Sequence, residues 1–170
     1  MDKKTVLRTN AKELRKTLEL DKISAGIVQK IRLQPIYQNA QNVMLFYPAN
    51  YEINLLALLE DTKNFYLPKV NNKDLQVCPY KPCDKLNKSK FNILEPCSAP
   101  IKPNNLDLVI VPALMADKKG YRLGYGGGFY DRFLRKNPDL ASICVVARQL
   151  LTNELPFEKF DIAVDYVITD

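Results

Sequence analysis

Residues 106–112 read LDLVIVP, a nearly continuous apolar run that ends at Pro112. Such a run is typical of a strand buried on both faces of a parallel sheet. We predict five more strands from other apolar runs: NVMLFYP (42–48), FYLP (65–68), LQVCPY (75–80), SICVVA (142–147) and AVDYVIT (163–169). Their alternation with helical patterns predicts an α/β fold, a three-layer sandwich with a central, largely parallel sheet flanked by helices.

Two amphipathic helices are predicted before the first strand. Residues 3–20 place apolar side chains at helical spacing between charges, and residues 22–33 repeat isoleucine at every fourth position. Pro35 is expected to end the second helix.

Two further helices are predicted after the first strand. The segment LLALLEDT (55–62) is predicted to be a helix capped by Asn54, and FYDRFLRK (129–136) a helix stopped by Pro138. Between them, prolines recur from Pro79 to Pro103, which predicts an irregular surface segment.

Length and charge limit the classes of function. A chain of 170 residues predicts one domain, residues 1–170, and no apolar run approaches the ~20 residues of a membrane span. The charged N-terminus lacks the apolar core of a signal peptide, so a cytoplasmic location is expected. The net charge of +6 indicates anionic partners such as nucleic acid, nucleotides or acidic small molecules. The densest basic group, at Lys81, Lys85, Lys88 and Lys90, is interpreted as a solvated loop.

The chain contains no histidine, which excludes Ser-His-Asp and Cys-His catalysis and metal sites with histidine ligands. Its four cysteines, at positions 78, 83, 97 and 144, form no CxxC pair. Reduced thiols are the favoured interpretation, with a Cys78–Cys83 disulfide as the alternative. Chemistry must therefore depend on carboxylates, Lys, Arg, Tyr, backbone amides or a bound metal.

Five of the six glycines lie between positions 120 and 128, directly before the predicted helix 129–136. Glycine-rich backbone before a helix can present consecutive N–H groups to phosphate, and Arg122 and Arg132 can add donors. The spacing fits neither a Rossmann fingerprint, because Phe129 stands where glycine is required, nor a P-loop. From the glycines alone, a structural tight turn remains the alternative to a phosphate loop.

The complete string RLGYGGGFYDRFL (122–134) resembles the C-terminal signature of the 5-formyltetrahydrofolate cyclo-ligase family, the 5,10-methenyltetrahydrofolate synthetases. Other segments follow in the order of that family, so the resemblance spans essentially the whole chain. They are KTVLR (4–8), YEI (51–53), FNILEP (91–96), LVIVP (108–112) and LPFEKFD (155–161), followed by Val164 and Asp165.

The resemblance implies that the protein uses ATP and Mg²⁺ to close 5-formyltetrahydrofolate to the 5,10-methenyl form. It implies that Lys4 and Arg8, on one helical face, contact ATP phosphates and that Asp131 and Asp161 bind Mg²⁺. The implied nucleotide-binding residues in the glycine segment are Arg122, Gly124, Tyr125, Gly126, Gly127, Gly128, Phe129 and Tyr130. The implied folate-binding residues are Glu52, Tyr47, Phe91, Tyr125 and Phe129. No side chain is implied as acid, base or nucleophile; Arg122 is expected to stabilise charge.

Three positions depart from the pattern of the family. Gly127 stands where many relatives have lysine, and Leu55 stands where threonine is common. The segment VVARQL (145–150) lacks the aromatic residue that usually accompanies its glutamine.

Two other functions remain open at this point. A non-catalytic module would bind nucleotide at the same loop without turnover. A basic nucleic-acid-binding domain would require clustered cations and aromatic platforms, which the dispersed charge disfavours. We therefore expect small-molecule partners, without nucleic acid or membrane, and a monomer or weak dimer.

Overall fold

The computed structural model describes residues 2–90 and 92–170. Its helices are α1 (Lys3–Arg15), α2 (Leu20–Arg32), α3 (Pro35–Asn39) and α4 (Phe129–Lys136), with 3-10 turns at Leu56–Glu60, Pro103–Asn105 and Arg148–Leu150. Its first six strands are β1 (Asn42–Met44), β2 (Asn64–Asn71), β3 (Asp74–Pro79), β4 (Leu86–Lys88), β5 (Leu94–Pro96) and β6 (Leu108–Pro112). The others are β7 (Met115–Asp117), β8 (Arg122–Leu123), β9 (Ala141–Val145), β10 (Leu151–Thr152) and β11 (Tyr166–Ile168).

The central sheet has the strand order β11–β9–β6–β1–β2–β3. All neighbouring pairs are parallel except β2 and β3, which form an antiparallel hairpin at one edge. Helices flank this sheet, so the prediction of an α/β fold with a largely parallel central sheet is confirmed.

The predicted strand 106–112 lies at the centre of the sheet. Leu108, Val109, Ile110 and Val111 are buried on β6, which pairs with β1 on one side and β9 on the other. Parallel strands covered on both faces require apolar side chains at every position, which explains the unbroken apolar run.

Helix α1 is shorter than its predicted range of 3–20, whereas α2, Leu20–Arg32, is close to its predicted range of 22–33. Helix α1 ends at Arg15, and Thr17 bonds the Leu14 carbonyl through both its backbone N–H and its hydroxyl, which closes the helix before residue 20. Pro35 follows the end of α2 as expected, but it also begins α3, since proline is well tolerated in a first helical turn.

The segment predicted as the helix LLALLEDT is instead the 3-10 turn Leu56–Glu60. Asn54 does act near its start, because its side-chain Oδ1 accepts the Leu56 N–H at 2.9 Å. Helix α4, by contrast, matches its prediction.

Regular pairing within the sheet is shorter than the apolar runs in several strands. The predicted runs 42–48 and 163–169 each contain a strand of three residues, and the run 142–147 overlaps the five-residue strand β9, which begins one residue earlier.

The prediction of an irregular segment between Pro79 and Pro103 is wrong in part. It contains the antiparallel pair β4 and β5, which packs against β2, and Glu95 accepts the Val70 N–H there.

All four cysteines are free thiols, Cys78 and Cys144 buried and Cys83 and Cys97 exposed. The interpretation as reduced thiols agrees with the structure. Burial raises the pKa of the Cys144 thiol to about 12, so this thiol is unreactive at neutral pH.

Within residues 2–90 and 92–170, no helix combines the length and apolar character that a membrane crossing requires.

Candidate active site

The glycine segment begins with a closed turn, residues 117–121, between β7 and β8. Asp117 is fully buried and accepts the N–H groups of Lys119, Tyr121 and Leu155. Gly120 has φ +90°, and a Cβ at this position would lie 2.4 Å from the Val164 carbonyl oxygen. Glycine is therefore required here by the packing of the protein itself.

The open loop, residues 124–128, follows β8 and leads into α4. Gly126 has φ +102°, and Gly128, the N-cap of α4, has φ +64°, so this backbone uses the left-handed region twice. Apart from its chain neighbours, no residue that the structure describes lies within 4 Å of a Cβ built on Gly124, whereas one on Gly127 would collide with the Phe129 ring. The Phe129 ring thus occupies the space that a side chain at position 127 would need.

Helix α1 contributes two cations, Arg8 to this loop and Lys4 to the carboxylates of Glu158 and Asp161. Arg8 donates from Nε to the Gly124 carbonyl at 2.9 Å, and its guanidinium lies beside Gly126. Lys4 forms ion pairs with Asp161 at 2.6 Å and with Glu158 at 3.0 Å. Desolvation opposes the charged form of Lys4, but the bonds to Asp161 and Glu158 outweigh it, so the pKa of Lys4 is raised. Lys4 therefore remains an ammonium ion paired with these two carboxylates.

The two predicted metal-binding aspartates are linked through the backbone next to Asp161. Asp131 Oδ1 accepts the N–H of Ile162, the residue that follows Asp161, at 3.0 Å. Arg122 donates to the same Oδ1 at 3.0 Å and also bonds the Ile162 carbonyl. Because the Arg122 side chain is 4% exposed, it supports Asp131 from inside the protein.

These carboxylates suit Mg²⁺ in the chemistry of their donors. Arg122 and the Ile162 N–H bond Oδ1 of Asp131, and Lys4 and the Glu158 N–H bond Oδ2 of Asp161. The Asp131 and Asp161 side chains are 27% and 24% exposed. Among the residues that the structure describes, no group of three or more acidic, cysteine or histidine side chains could hold a metal without help. Mg²⁺ typically takes one or two carboxylates together with phosphate oxygens and water, so two carboxylates fit a metal that arrives with nucleotide.

Glu52 is held by a tight turn after β1. Its Oε2 accepts the Ala49 N–H at 2.8 Å, and Tyr51 before it has φ +61°, a strained value for a residue with a side chain. The Tyr125 hydroxyl donates to Glu52 Oε1 at 2.6 Å. The structure therefore joins a predicted folate-binding carboxylate directly to the glycine loop.

The predicted aromatic residues have different positions. Tyr125 is 49% exposed in the loop, and Phe129 lies half-buried with the Arg132 guanidinium 5.1 Å from its ring centroid. Burial raises the pKa of Tyr130, and the charge of Glu52 raises it further, so Tyr130 is a neutral phenol. Tyr47 packs partly buried against the core. The predicted Phe91 lies outside the described residues.

Arg132, a predicted phosphate donor, and Arg148, in the segment VVARQL (145–150), both bond other parts of the protein. Arg132 donates to the carbonyls of Gly127 and Lys73, so it braces the loop from outside. Arg148, near the segment that lacks its usual aromatic residue, bonds the C-terminal Asp170.

Arg15 is the site residue that sequence reasoning missed. Its buried guanidinium donates from Nη1 to the Tyr125 hydroxyl at 2.7 Å. A signal was available, because Lys4, Arg8, Ala11 and Arg15 are spaced by four, three and four residues and so share one face of α1. Buried Ala11 shows that this cationic face is turned toward the protein.

The chain is similar along its whole length to known proteins of one family. The model of the 5-formyltetrahydrofolate cyclo-ligase family matches residues 1–170. A 5-formyltetrahydrofolate cyclo-ligase of Haemophilus influenzae is 31% identical over 137 residues, covering 74% of this chain and 73% of the relative. One of Mycolicibacterium smegmatis is 29% identical and covers 98% and 93% of the two chains.

Solved structures agree. An NMR structure of Aquifex aeolicus 5,10-methenyltetrahydrofolate synthetase superimposes with a TM-score of 0.82 at 28% identity, over 96% of this chain and 88% of the other. A Mycoplasma pneumoniae 5,10-methenyltetrahydrofolate synthetase, at 20% identity and a TM-score of 0.78, covers 99% of both chains and shows the shared fold. From the match along its whole length, the chain belongs to the 5-formyltetrahydrofolate cyclo-ligase family.

Proposed function

We propose that this protein uses ATP and Mg²⁺ to convert 5-formyltetrahydrofolate to 5,10-methenyltetrahydrofolate, with release of ADP and phosphate. One observation carries the proposal within this family: Lys4 and Arg8 of α1, the open loop 124–128 and the pair Asp131 and Asp161 converge in one place. Cations, backbone amides and carboxylates together are what a magnesium-bound triphosphate requires.

The proposed chemistry begins with transfer of the γ-phosphoryl group of ATP to the formyl oxygen, and ADP leaves. The formyl carbon is then an iminium phosphate, which N10 of the same folate attacks. N10 loses its proton, the carbon–oxygen bond breaks, and phosphate departs. Both nucleophiles belong to the substrate, so a chain without histidine needs only to position the reactants and stabilise charge.

On the nucleotide side, Lys4, Arg8 and the loop N–H groups would bind the phosphates. Asp131 and Asp161 would hold Mg²⁺, which would neutralise part of the phosphate charge. Arg122 would keep Asp131 in place, and direct contact of Arg122 with phosphate stays a prediction.

The nucleoside is assigned to a groove of about 720 Å³ beside α1. Its walls are Lys3, Val6 and Leu7 on the helix and residues 154–157 opposite. Both walls continue directly into the Lys4–Glu158 ion pair, so a nucleotide with its phosphates at Lys4 can reach this largely apolar surface.

On the folate side, Glu52 would accept hydrogen bonds from N–H groups of the pterin, and Tyr125 and Phe129 would contact its rings. Tyr47 and Phe91 stay predictions for the same surface. A monomeric or weakly dimeric state and a cytoplasmic location also stay predictions.

The test is to incubate the purified protein with 5-formyltetrahydrofolate, ATP and Mg²⁺. We expect the near-ultraviolet absorbance of the methenyl product and an equal amount of ADP, each requiring both substrates. Chelation of Mg²⁺ should stop the reaction, and added Mg²⁺ should restore it. Folded protein that bound ATP without forming product would instead be a non-catalytic nucleotide-binding module. Salt-sensitive binding to nucleic acid without product would indicate the nucleic-acid-binding alternative.

A further inference from the structure

Arg15 is a buried cation whose charge is compensated indirectly. The residue is 4% exposed, and among the described residues no carboxylate lies within ion-pair distance of its guanidinium. Burial of an arginine without an acidic partner is costly. Arg15 bonds the Tyr125 hydroxyl at 2.7 Å, and that hydroxyl bonds Glu52. Through Tyr125, Arg15 is therefore connected to a carboxylate.

The direction of this hydrogen-bond chain follows from chemistry. A guanidinium has donors only, so the Tyr125 oxygen must accept from Arg15. The single hydroxyl proton of Tyr125 is then directed to Glu52 Oε1, at the short distance of 2.6 Å. Because Glu52 Oε2 accepts the Ala49 N–H, both oxygens of Glu52 act as acceptors, which is the pattern of an ionised carboxylate.

We propose that Arg15 is a positioning residue for the folate substrate. It acts through Tyr125, fixing the hydroxyl proton toward Glu52 and so keeping Glu52 in one orientation as an ionised acceptor. The inference rests on the proposed function, because that function assigns Glu52 to folate. Tyr125 stands between Gly124 and Gly126 with half of its surface exposed, so the loop alone does little to hold it.

A second arginine, Arg32, provides a matched control. Its Nη2 lies 2.8 Å from Asp61 Oδ1, and the Tyr37 hydroxyl donates to Asp61 Oδ2 at 2.7 Å. Here too an arginine, a tyrosine and an acidic residue form one cluster, but the arginine pairs with the carboxylate directly. This cluster joins α2, α3 and the turn Leu56–Glu60 and includes none of the site residues.

The experiment compares Arg15→Met with Arg32→Met in steady-state kinetics with each substrate varied. Loss of a hydrogen bond in a charged chain predicts a KM for 5-formyltetrahydrofolate about tenfold higher in Arg15→Met, with the KM for ATP within about twofold of wild type. Arg15→Lys should recover part of the loss, because an ammonium is also a donor without an acceptor. Arg32→Met should lower the melting temperature and leave both KM values unchanged.

Tyr125→Phe tests whether Arg15 acts through the hydroxyl. If it does, Arg15→Met combined with Tyr125→Phe should have the same folate KM as Tyr125→Phe alone. Equal increases in both KM values, or additive effects in the double variant, would overturn the proposal. If Arg15→Met does not fold, Arg15→Lys and Tyr125→Phe carry the test, and an unchanged folate KM in both would overturn it.

Direct binding separates this inference from the proposed function. Titration of 5-formyltetrahydrofolate into the protein without ATP should show weaker binding to Arg15→Met than to wild type. If the wild type turns over its substrates but both proteins bind folate equally well, the role of Arg15 is wrong and the proposed function stands. If the wild type binds folate but shows no turnover, the proposed function is wrong. In that case, weaker folate binding by Arg15→Met than by wild type would still support the role of Arg15.

Discussion

The closed turn 117–121 and the open loop 124–128 lie on either side of β8, and each combines glycine with a nearby aspartate. In the turn, Gly120 packs against the Val164 backbone, and both carboxylate oxygens of Asp117 accept backbone N–H groups of the protein. In the loop, Gly124 has free space and Asp131, one helical turn later, keeps an exposed edge. The same residue types thus serve packing in one region and are available to a ligand in the other.

The largest expected effect concerns the closed turn. Gly120→Ala should lower the free energy of unfolding by about 3–5 kcal/mol, because the added methyl meets a backbone carbonyl and the residue must keep a positive φ. Urea unfolding measures this change. A loss below about 1 kcal/mol would show that the turn relaxes easily and would weaken the comparison.

The two aspartates are expected to differ in what they affect. Asp131→Asn should lower kcat/KM roughly 100-fold, about 2.7 kcal/mol, and raise the Mg²⁺ concentration needed for half activity. It also removes the charge that pairs with buried Arg122, so some loss in the free energy of unfolding is expected as well. Asp117→Asn places an amide donor against backbone N–H groups and should instead cost about 2 kcal/mol of stability. Kinetics at a temperature where both variants are folded, combined with urea unfolding, test the contrast. Normal Mg²⁺ dependence in Asp131→Asn would remove that residue from the metal site.

Gly124→Ala tests whether nucleotide approaches the open loop. The unliganded protein has room for this methyl, so the free energy of unfolding should change by less than about 0.5 kcal/mol. If phosphate approaches this backbone, the KM for ATP should increase roughly tenfold, as close contact with an amide is lost. Unchanged ATP kinetics would indicate that nucleotide does not reach position 124.

The smallest expected effect is a difference in alkaline stability. Burial, followed by the charge of Glu52, raises the pKa of Tyr125 above its ordinary value despite the opposing charge of Arg15; Lys12 also faces the ring. Above about pH 10 the unfolded chain loses this proton while the folded protein keeps it, so the contribution is present below pH 10 and lost as pH rises. Melting temperatures between pH 8 and 11 should therefore fall less steeply in Tyr125→Phe than in wild type. Parallel curves would contradict this assignment.

Local patterns predicted the elements that are governed by neighbouring residues. The run LDLVIVP became the central strand β6 because burial on both faces demands an apolar residue at each position. Helix α4 has its predicted bounds because the glycines and Pro138 limit it on both sides. Predictions failed where tertiary contacts select the local structure, as in the turn Leu56–Glu60 and the β4–β5 pair.

By itself, the sequence determined the fold class, the family and the residue types available to the site, because these depend on composition, periodicity and the order of motifs. Only the tertiary structure decided which glycines are open, that Arg15 reaches Glu52 through Tyr125, and that Lys4 meets Asp161 across 157 residues. Side-chain partners that are distant along the chain are set by the path of the folded backbone, and no local pattern specifies that path.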